Sequence, residues 1–399
     1  MDLRYVGYPV RIHAGDNSLS RINTELNRLK AKRVMIVCGN SIATKTNLIQ
    51  RIKAIVDPST RIVAVFDEAE ASSPLPSIVK GVQMAKELNI DSIISVGGGS
   101  SIVTTRGIII LLAENKSAFE LCTQYPLNSP PLSPRLNAPK IPSISVVTTP
   151  TTATNRGGTA LMDPETRTRL ELFDPKTRPE AVIWDSEALL TATSELIISA
   201  SSSLLTGVLA GLMTKSVLNP LSFNDLHGAL KLLLVNLPLV LTDSHSADPR
   251  LNLCAASFLY NRACDGGVGG SSLGIVSAIS HSIDTRFPQC SHGAAYSIIT
   301  APGIKFNAVA NKSGMKRVFD TLIDFGALTP KVNSTLEISD WITGLFNDIN
   351  MPVKLNEVGI TRDDIETIAT DSMEDFPIHS NVRKVTNPSE IVDLLSSVL

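Results

Sequence analysis

The chain has little cysteine, few aromatic residues and almost no charge imbalance, and each shortage excludes a class of protein. Its five cysteines, Cys38, Cys122, Cys254, Cys264 and Cys290, are odd in number and never stand in a CxxC pair. That spacing argues against a disulfide framework or a structural zinc site and points to a reducing compartment. The 36 basic and 38 acidic residues leave a formal net charge of −2, and they are well mixed along the chain. Such a balance offers no electrostatic footprint for nucleic acid or an anionic membrane surface. Long apolar runs are missing too. The most apolar stretch, residues 229–241, is interrupted by Lys231, Asn236 and Pro238 and falls short of the roughly 20 residues that span a bilayer. Residues 1–15 carry Asp2, Arg4 and Arg11 and lack the apolar core of a signal peptide. The expectation is a cytoplasmic protein whose partner is a small molecule, with neither nucleic acid nor membrane as a ligand.

What is present is material for two domains. Hydrophobic residues make up 43% of the 399, enough to bury two sizeable cores. Up to about residue 185, short β-rich runs alternate with amphipathic patterns, as in a parallel sheet. Arg33–Cys38 (RVMIVC) and Arg61–Phe66 (RIVAVF) read as buried strands, and Leu75, Ile78, Val79, Val82 and Ala85 recur at helical spacing. A third strand, residues 92–96 (SIISV), runs straight into Gly97, Gly98, Gly99 and Ser100. Residues 124–142 hold six prolines and read as an irregular excursion, after which Ile144 to Val147 resumes the sheet. Beyond Asp185 strand signals nearly vanish and helical patterns run to the C-terminus, broken by a Gly/Ser-rich stretch at 266–272 and polar turns near Ser244 and Pro330. The predicted division is 1–187 for an α/β domain and 188–399 for a helical one.

A strand that ends in three glycines and opens an apolar helix (residues 102–112) is suited to a diphosphate. Glycines admit close backbone approach, and the free N–H groups of the helix N-terminus favour negative charge. By itself the pattern also suits a plain tight turn.

The stretch GGGSSIVTTRGI resembles the GGGSxxDxxK signature of iron-containing alcohol dehydrogenases and their dehydroquinate-synthase-like relatives. Further similarities follow in order: Pro150-Thr151-Thr152-Ala153 to the PTTAGT loop, the segment from Asp174-Pro175 through Ile183-Trp184-Asp185 to "DP…P…iiD", residues 281–302 to "HxLG…PHG…ilLP", and Asn387-Pro388 with Glu390-Ile391 to the C-terminal close. The resemblance spans nearly the whole chain. It implies an α/β Rossmann-like N-terminal domain plus an all-helical C-terminal domain, the dehydroquinate-synthase-like fold, with a cleft between them and a homodimer as the assembly. It implies that Gly97, Gly98, Gly99 and Ser100 hold a dinucleotide diphosphate, that Thr151 and Thr152, with Thr149 as a further candidate, lie near the nicotinamide, and that Arg169 replaces a Lys near the ribose. NAD-preferring members carry an Asp after the first strand. Here Gly39 stands there, followed by Asn40 and Ser41, so a 2′-phosphate would meet no like charge and NADP(H) is favoured slightly over NAD(H).

The family's metal site uses one Asp and three His, and here the chain departs. The Asp position holds Ser203, the first His position Gly207 and the second Ser277; only His292 remains. A single imidazole does not hold a catalytic divalent ion, which takes about three protein ligands, so no metal is expected. The signature's Asp is Val103 and its Lys is Arg106, while Asn155 and Arg156 fall where Gly-Ser-Glu is usual. Two functions suit this pattern. One is a metal-independent NAD(P)H-dependent reductase or dehydrogenase of a small carbonyl or alcohol, with maleylacetate reductases as precedent, in which a hydrogen-bond donor or imidazolium polarises the carbonyl. The other is a non-redox isomerase, dehydratase or cyclase of a specialised biosynthetic pathway in the same cleft. In both, His281 and His292 are the candidate catalytic groups; hydrogen-bonded remnants lining the cleft are the alternative for each. Cys290, two residues before His292, lacks the surroundings of a tuned nucleophile.

Overall fold

A computed structural model describes residues 5–56, 61–126, 131–166, 168–268, 272–329 and 334–399. Residues 127–130 of the proline-rich excursion, 269–271 of the Gly/Ser-rich stretch, and the turn at Pro330 lie outside the described residues. The chain forms two compact units, one of residues 8–193 with 245–254, the other of 1–7, 194–244 and 255–399. Their divide at 193/194 falls six residues beyond the 187/188 division read from the sequence, because the short helix after the last strand packs with the sheet it follows.

The first unit contains, in chain order, β1 (Arg11–Gly15), α1 (Arg21–Arg28), β2 (Arg33–Cys38), α2 (Asn40–Lys45), α3 (Leu48–Ile55), β3 (Arg61–Phe66), α4 (Leu75–Glu87), β4 (Ser92–Gly97), α5 (Gly99–Glu114), α6 (Ala118–Leu121), β5 (Ser143–Val147), β6 (Gly158–Met162), β7 (Arg169–Phe173), β8 (Ala181–Asp185) and α7 (Ser186–Leu190). Among the described residues a six-stranded sheet runs β1-β8-β5-β4-β2-β3, and its pairs are parallel. Strands buried on both faces explain the continuous apolar runs. Val34, Ile36, Ile94, Val96, Ile144 and Val146 point into one core with Leu26, Leu48 and Ile52. Met35, Val37 and Ile93 point into the other with Ile78, Ile108 and Ile110. This is the period-2 alternation of a strand, used twice.

From β2 the chain moves outward to β3, and from β4 it moves the other way to β5 and β8. The order therefore reverses between β2 and β4, and the carboxyl ends of strands at such a reversal are where open α/β sheets bind ligands. The 39–41 turn follows β2 and the 97–100 turn follows β4. β6 and β7 pair antiparallel as a separate ribbon.

The second unit is helical: α8 (Ser194–Leu212), α9 (Pro220–Thr242), most of α10 (Asp248–Asp265), α11 (Gly274–Arg286), α12 (His292–Asn307), α13 (Lys312–Asp324), α14 (Ser334–Asp348), α15 (Ile365–Glu374) and α16 (Pro388–Ser396). Residues 229–241 do not form a broken segment. They belong to α9, which accommodates Pro238 in its last turns. By length and composition α8 and α9 are long and apolar enough to cross a membrane, and two-thirds of the α8 window is buried inside the protein, as a core helix requires. The cysteines are free, and Cys38, Cys122, Cys254 and Cys290 are buried.

Candidate active site

The glycine turn is built so that little but glycine fits. Gly97 has φ of +138°, a backbone state that side chains rarely adopt, and a methyl there would lie 2.6 Å from Ser101 Oγ. A methyl on Gly98 would lie 2.7 Å from Thr149 Oγ1, and one on Gly99 would lie 3.0 Å from Thr151 Oγ1. Gly98 caps α5 with no side-chain hydrogen bond, so the first N–H groups of a 16-residue helix stay available to an anion. Ser73 reinforces the turn from outside: its hydroxyl donates to the Ser100 carbonyl at 3.4 Å and accepts from Thr104 Oγ1 at 3.4 Å. Thr149 is buried, while Ser100, Thr151 and Thr152 are half-buried at the rim. The turn and its two threonines fit a dinucleotide diphosphate.

Arg169 begins β7 opposite Met162. The N–H of Met162 donates to the Ser73 carbonyl at 3.2 Å, so the ribbon end carrying Arg169 is tied to Ser100 through Ser73. Gly39 follows β2, and Asn40 and Ser41 open the short α2 in solvent. The absence of a like charge assumed for this turn does not hold. The last paired positions of the two strands are Val37 and Phe66, Asp67 follows one residue on, and the Ala69 N–H donates to the Cys38 carbonyl at 3.1 Å. Burial, and then the Asp67 charge, push the Cys38 thiol up to about 12. A carboxylate from β3 therefore stands beside the turn from which β2 lacks one.

Arg106 is a site residue whose role the sequence did not reveal. It is 2% exposed on α5. Nη1 donates to the carbonyls of Arg156 at 2.9 Å and Gly158 at 2.5 Å, and Nη2 donates to that of Ala153. Burial, then the charges of Arg156 and Arg178, push its pKa down to about 9. One guanidinium thus shapes the loop that follows Thr151 and Thr152. The advance signal was its place at the Lys position of the GGGSxxDxxK signature.

The helical unit brings the remaining candidates together. Between Ile197 and Leu212, α8 is buried except at Ser199, Ala200, Ser203 and Gly207. On α11 the first residues that keep exposure are Ser277, His281 and Asp284. Both stripes follow the i, i+3/i+4 spacing of one helix face, and they contain the vacated ligand positions. α12 packs against both helices. A methyl on Gly293 would meet the Ser199 carbonyl at 2.0 Å, and the Ser199 hydroxyl donates to Ser291 Oγ at 3.0 Å. This close approach sets His292 at the start of α12.

Each histidine is held by a carboxylate. His281 Nδ1 lies 2.6 Å from Asp375 Oδ2, with both side chains largely buried. His292 Nδ1 lies 2.5 Å from Asp284 Oδ2, with the imidazole 49% exposed, and its ring is 4.8 Å from that of Tyr296. An ionised carboxylate only accepts, so Nδ1 carries the proton in each pair. Cys290 is buried, and burial followed by the Asp284 charge pushes its thiol up to about 11, the opposite of nucleophile activation. The four ligand positions offer two hydroxyls, one glycine and one imidazole. That set does not fit a divalent cation, and among the described residues no group of three or more His, Cys, Asp or Glu could hold one.

Comparison with known proteins agrees over both units. The family model for iron-containing alcohol dehydrogenase matches residues 9–186. That for the C-terminal part of the Fe-containing alcohol dehydrogenase family matches residues 222–399. The chain is 23% identical over 389 residues to the NAD-dependent methanol dehydrogenase of Bacillus methanolicus, covering 96% of this chain and 97% of that one. It is 22% identical over 398 residues to the NADPH-dependent butanol dehydrogenase of Clostridium saccharobutylicum, covering 98% and 96%. The crystal structure of a 1,3-propanediol oxidoreductase superposes with a TM-score of 0.86 at 19% identity, with both chains fully covered; at that identity the likeness is one of fold.

Proposed function

Because the chain belongs to the iron-containing alcohol dehydrogenase family, a family of oxidoreductases, we propose that it is an NAD(P)H-dependent reductase or dehydrogenase of a small carbonyl or alcohol that works without a divalent metal. One observation carries the reading: the glycine turn is kept, with Ser101, Thr149 and Thr151 filling the space a side chain would need, where the ligand set is not. Relatives whose names specify NAD in one case and NADPH in another support a dinucleotide. Asp67 beside Gly39 removes the ground for favouring NADP(H), so the proposal covers both.

When bound, the reduced dinucleotide supplies a hydride to the carbonyl carbon. The chain's part is to hold and to polarise. The first N–H groups of α5 would receive the diphosphate, Thr151 and Thr152 would orient the nicotinamide, and Arg169 would reach the ribose. Without a Lewis acid the carbonyl oxygen needs a hydrogen-bond or proton donor, and Nε2 of His281 and of His292 are the groups proposed to move that proton. A cytoplasmic homodimer with no membrane or nucleic-acid partner completes the proposal; it rests on the charge balance, the free cysteines and the family resemblance.

The test is calorimetric titration of chelator-treated, metal-analysed protein with NADPH and with NADH, followed by assay of small carbonyls with and without added Fe²⁺ or Zn²⁺. Binding and turnover without metal support the proposal. Binding of neither dinucleotide overturns the redox reading and leaves His281 and His292 to acid–base chemistry of a non-redox reaction. Turnover only on metal addition overturns metal independence.

A further inference from the structure

One face of α5 anchors both ends of the loop that follows Thr151. Gly99, Val103 and Arg106 stand at i, i+4 and i+7, the spacing of a single helix face. A methyl on Gly99 would lie 3.0 Å from Thr151 Oγ1, and the Val103 carbonyl accepts from Thr159 Oγ1 at 2.9 Å. Between these two contacts the chain loops out and turns the carbonyls of Ala153, Arg156 and Gly158 onto the Arg106 guanidinium. From the far side the loop is pinned at Gly157, whose carbonyl accepts from the Asp174 N–H at 2.9 Å and from Thr177 Oγ1 at 3.3 Å. The Asn155 carbonyl accepts from Arg178 Nη1. Carbonyls turned inward need donors, and a guanidinium offers several in one rigid plane. Ala153 passes the restraint on: its carbonyl is held by Arg106 while its N–H donates to Thr151 Oγ1 at 3.1 Å. The helix whose first residues form the glycine turn therefore also fixes, two turns further on, the threonine that packs against that turn.

We propose that Arg106 is a positioning residue for the dinucleotide: by holding the 153–158 loop it sets Thr151 and Thr152 for the nicotinamide half, while the diphosphate half is left to the N–H groups of the glycine turn. The inference rests on the reductase reading above. It divides the site on the α/β unit into two parts with different supports. The turn is shaped by its own glycines and by Ser73, so an ADP moiety does not depend on Arg106. The loop between Thr151 and β6 lies outside helix and strand, so its shape comes from the groups that hold its carbonyls. A lysine at residue 106 would present one nitrogen where the guanidinium presents two, and the carbonyls of Arg156 and Ala153 are reached from different nitrogens.

The test titrates ADP and, in parallel, NADH and NADPH into the wild type, Arg106→Met and Arg106→Lys. Heat is read for all three ligands and nicotinamide fluorescence for the two reduced dinucleotides. ADP probes the turn alone. A reduced nicotinamide held in a structured site emits more brightly and further to the blue than in water. The wild type is expected to bind ADP and at least one reduced dinucleotide, with that change in emission. Arg106→Met is expected to bind ADP within about twofold of the wild type, but the reduced dinucleotide about tenfold or more weakly and without the change in emission. Arg106→Lys is expected to fall between, with dinucleotide affinity down about threefold. Equal losses for ADP and dinucleotide overturn the proposal, because they would make Arg106 a support of the fold at large. If Arg106→Met does not fold, Arg106→Lys decides, and wild-type affinity and emission in that variant overturn the proposal. A wild type that binds neither reduced dinucleotide overturns the reductase reading itself, whereas dinucleotide binding insensitive to residue 106 overturns only the role of Arg106.

Discussion

Gly98 and Thr149 stand so close that a methyl on the glycine would lie 2.7 Å from the threonine hydroxyl oxygen. The contact joins the turn after β4 to the segment after β5, so the glycine serves packing as well as anion approach. Gly98→Ala is expected to weaken dinucleotide binding at least tenfold, equivalent to about 1.4 kcal/mol or more, with the helical content unchanged. Thr149→Ala in the same chain removes the obstructing hydroxyl and should restore part of the loss. Calorimetry on the single and double variants checks this. A double variant as weak as Gly98→Ala would mean that the methyl obstructs the ligand directly rather than through Thr149.

Cofactor preference provides a second prediction. The Asp67 carboxylate follows the last paired residue of β3, beside the Gly39 turn, and its charge, after burial, raises the Cys38 thiol at the end of β2. A 2′-phosphate there would meet a like charge. Asp67→Asn is expected to raise the NADPH-to-NADH affinity ratio about tenfold, or ~1.4 kcal/mol, most clearly at low ionic strength. An unchanged ratio would show that the adenosine ribose is read elsewhere.

These contacts mark where the sequence was legible. β2, β3, β4 and β5 announced themselves because strands covered on both faces are continuously apolar. β1 did not, since RIHAG has no such run and is a strand only because Arg11 to Gly15 pair with Ala181 to Asp185, about 170 residues away. β6 and β7 were missed for the same reason: each is made by the other. The glycine turn was visible as a motif and Thr149 and Thr151 as candidates beside it, but that they fill the turn's side-chain space, with the Ser73 bond behind it, was not. The carboxylates holding the histidines show the same limit. Asp284 is eight residues from His292, whereas Asp375 is 94 from His281, and no spacing rule connects such positions. Arg106 was visible as an oddity in α5, but its acceptors are backbone carbonyls, which leave no trace in residue identity.

Acid sensitivity is the third prediction. Lys140 has a fully buried side chain, 2.6 Å from Glu114 and 3.0 Å from Asp174. Burial pushes Asp174 up, but the Lys176 N–H, Lys176 and Lys140 outweigh it and hold the pKa below the usual value. Glu114 is lowered chiefly by its hydrogen bond from Lys140. Carboxyls whose folded pKa is depressed stabilise the fold above their unfolded pKa, and that contribution disappears as pH falls through the folded value. Stability should therefore decline below about pH 4.5, into the range of the unfolded carboxyl values. Lys140→Met leaves the two carboxylates without their shared cation and should cost about 3 kcal/mol at pH 7. The penalty should shrink at pH 3.5, where protonation begins to neutralise them. Thermal denaturation at the two pH values checks this, and an equal penalty at both would show that Lys140 acts by packing alone.

The last prediction asks whether the lost metal site can be rebuilt. Ser203→Asp, Gly207→His and Ser277→His, with the native His292, would assemble one carboxylate and three imidazoles, the first two at the i, i+4 spacing of one face of α8. Ligand identity alone would satisfy a divalent ion. The Tyr260 ring stands in the way, because the Cβ of residue 207 would lie 2.7 Å from it and the phenol would have to shift. The triple variant is therefore expected to bind Co²⁺ no better than the wild type. Adding Tyr260→Ala empties the volume the new imidazole needs, and this fourfold variant should bind Co²⁺ at least tenfold more tightly than the triple one, with the visible absorption of a coordinated ion. If the triple variant binds as tightly as the fourfold one, Tyr260 gives way freely and does not obstruct a side chain at residue 207.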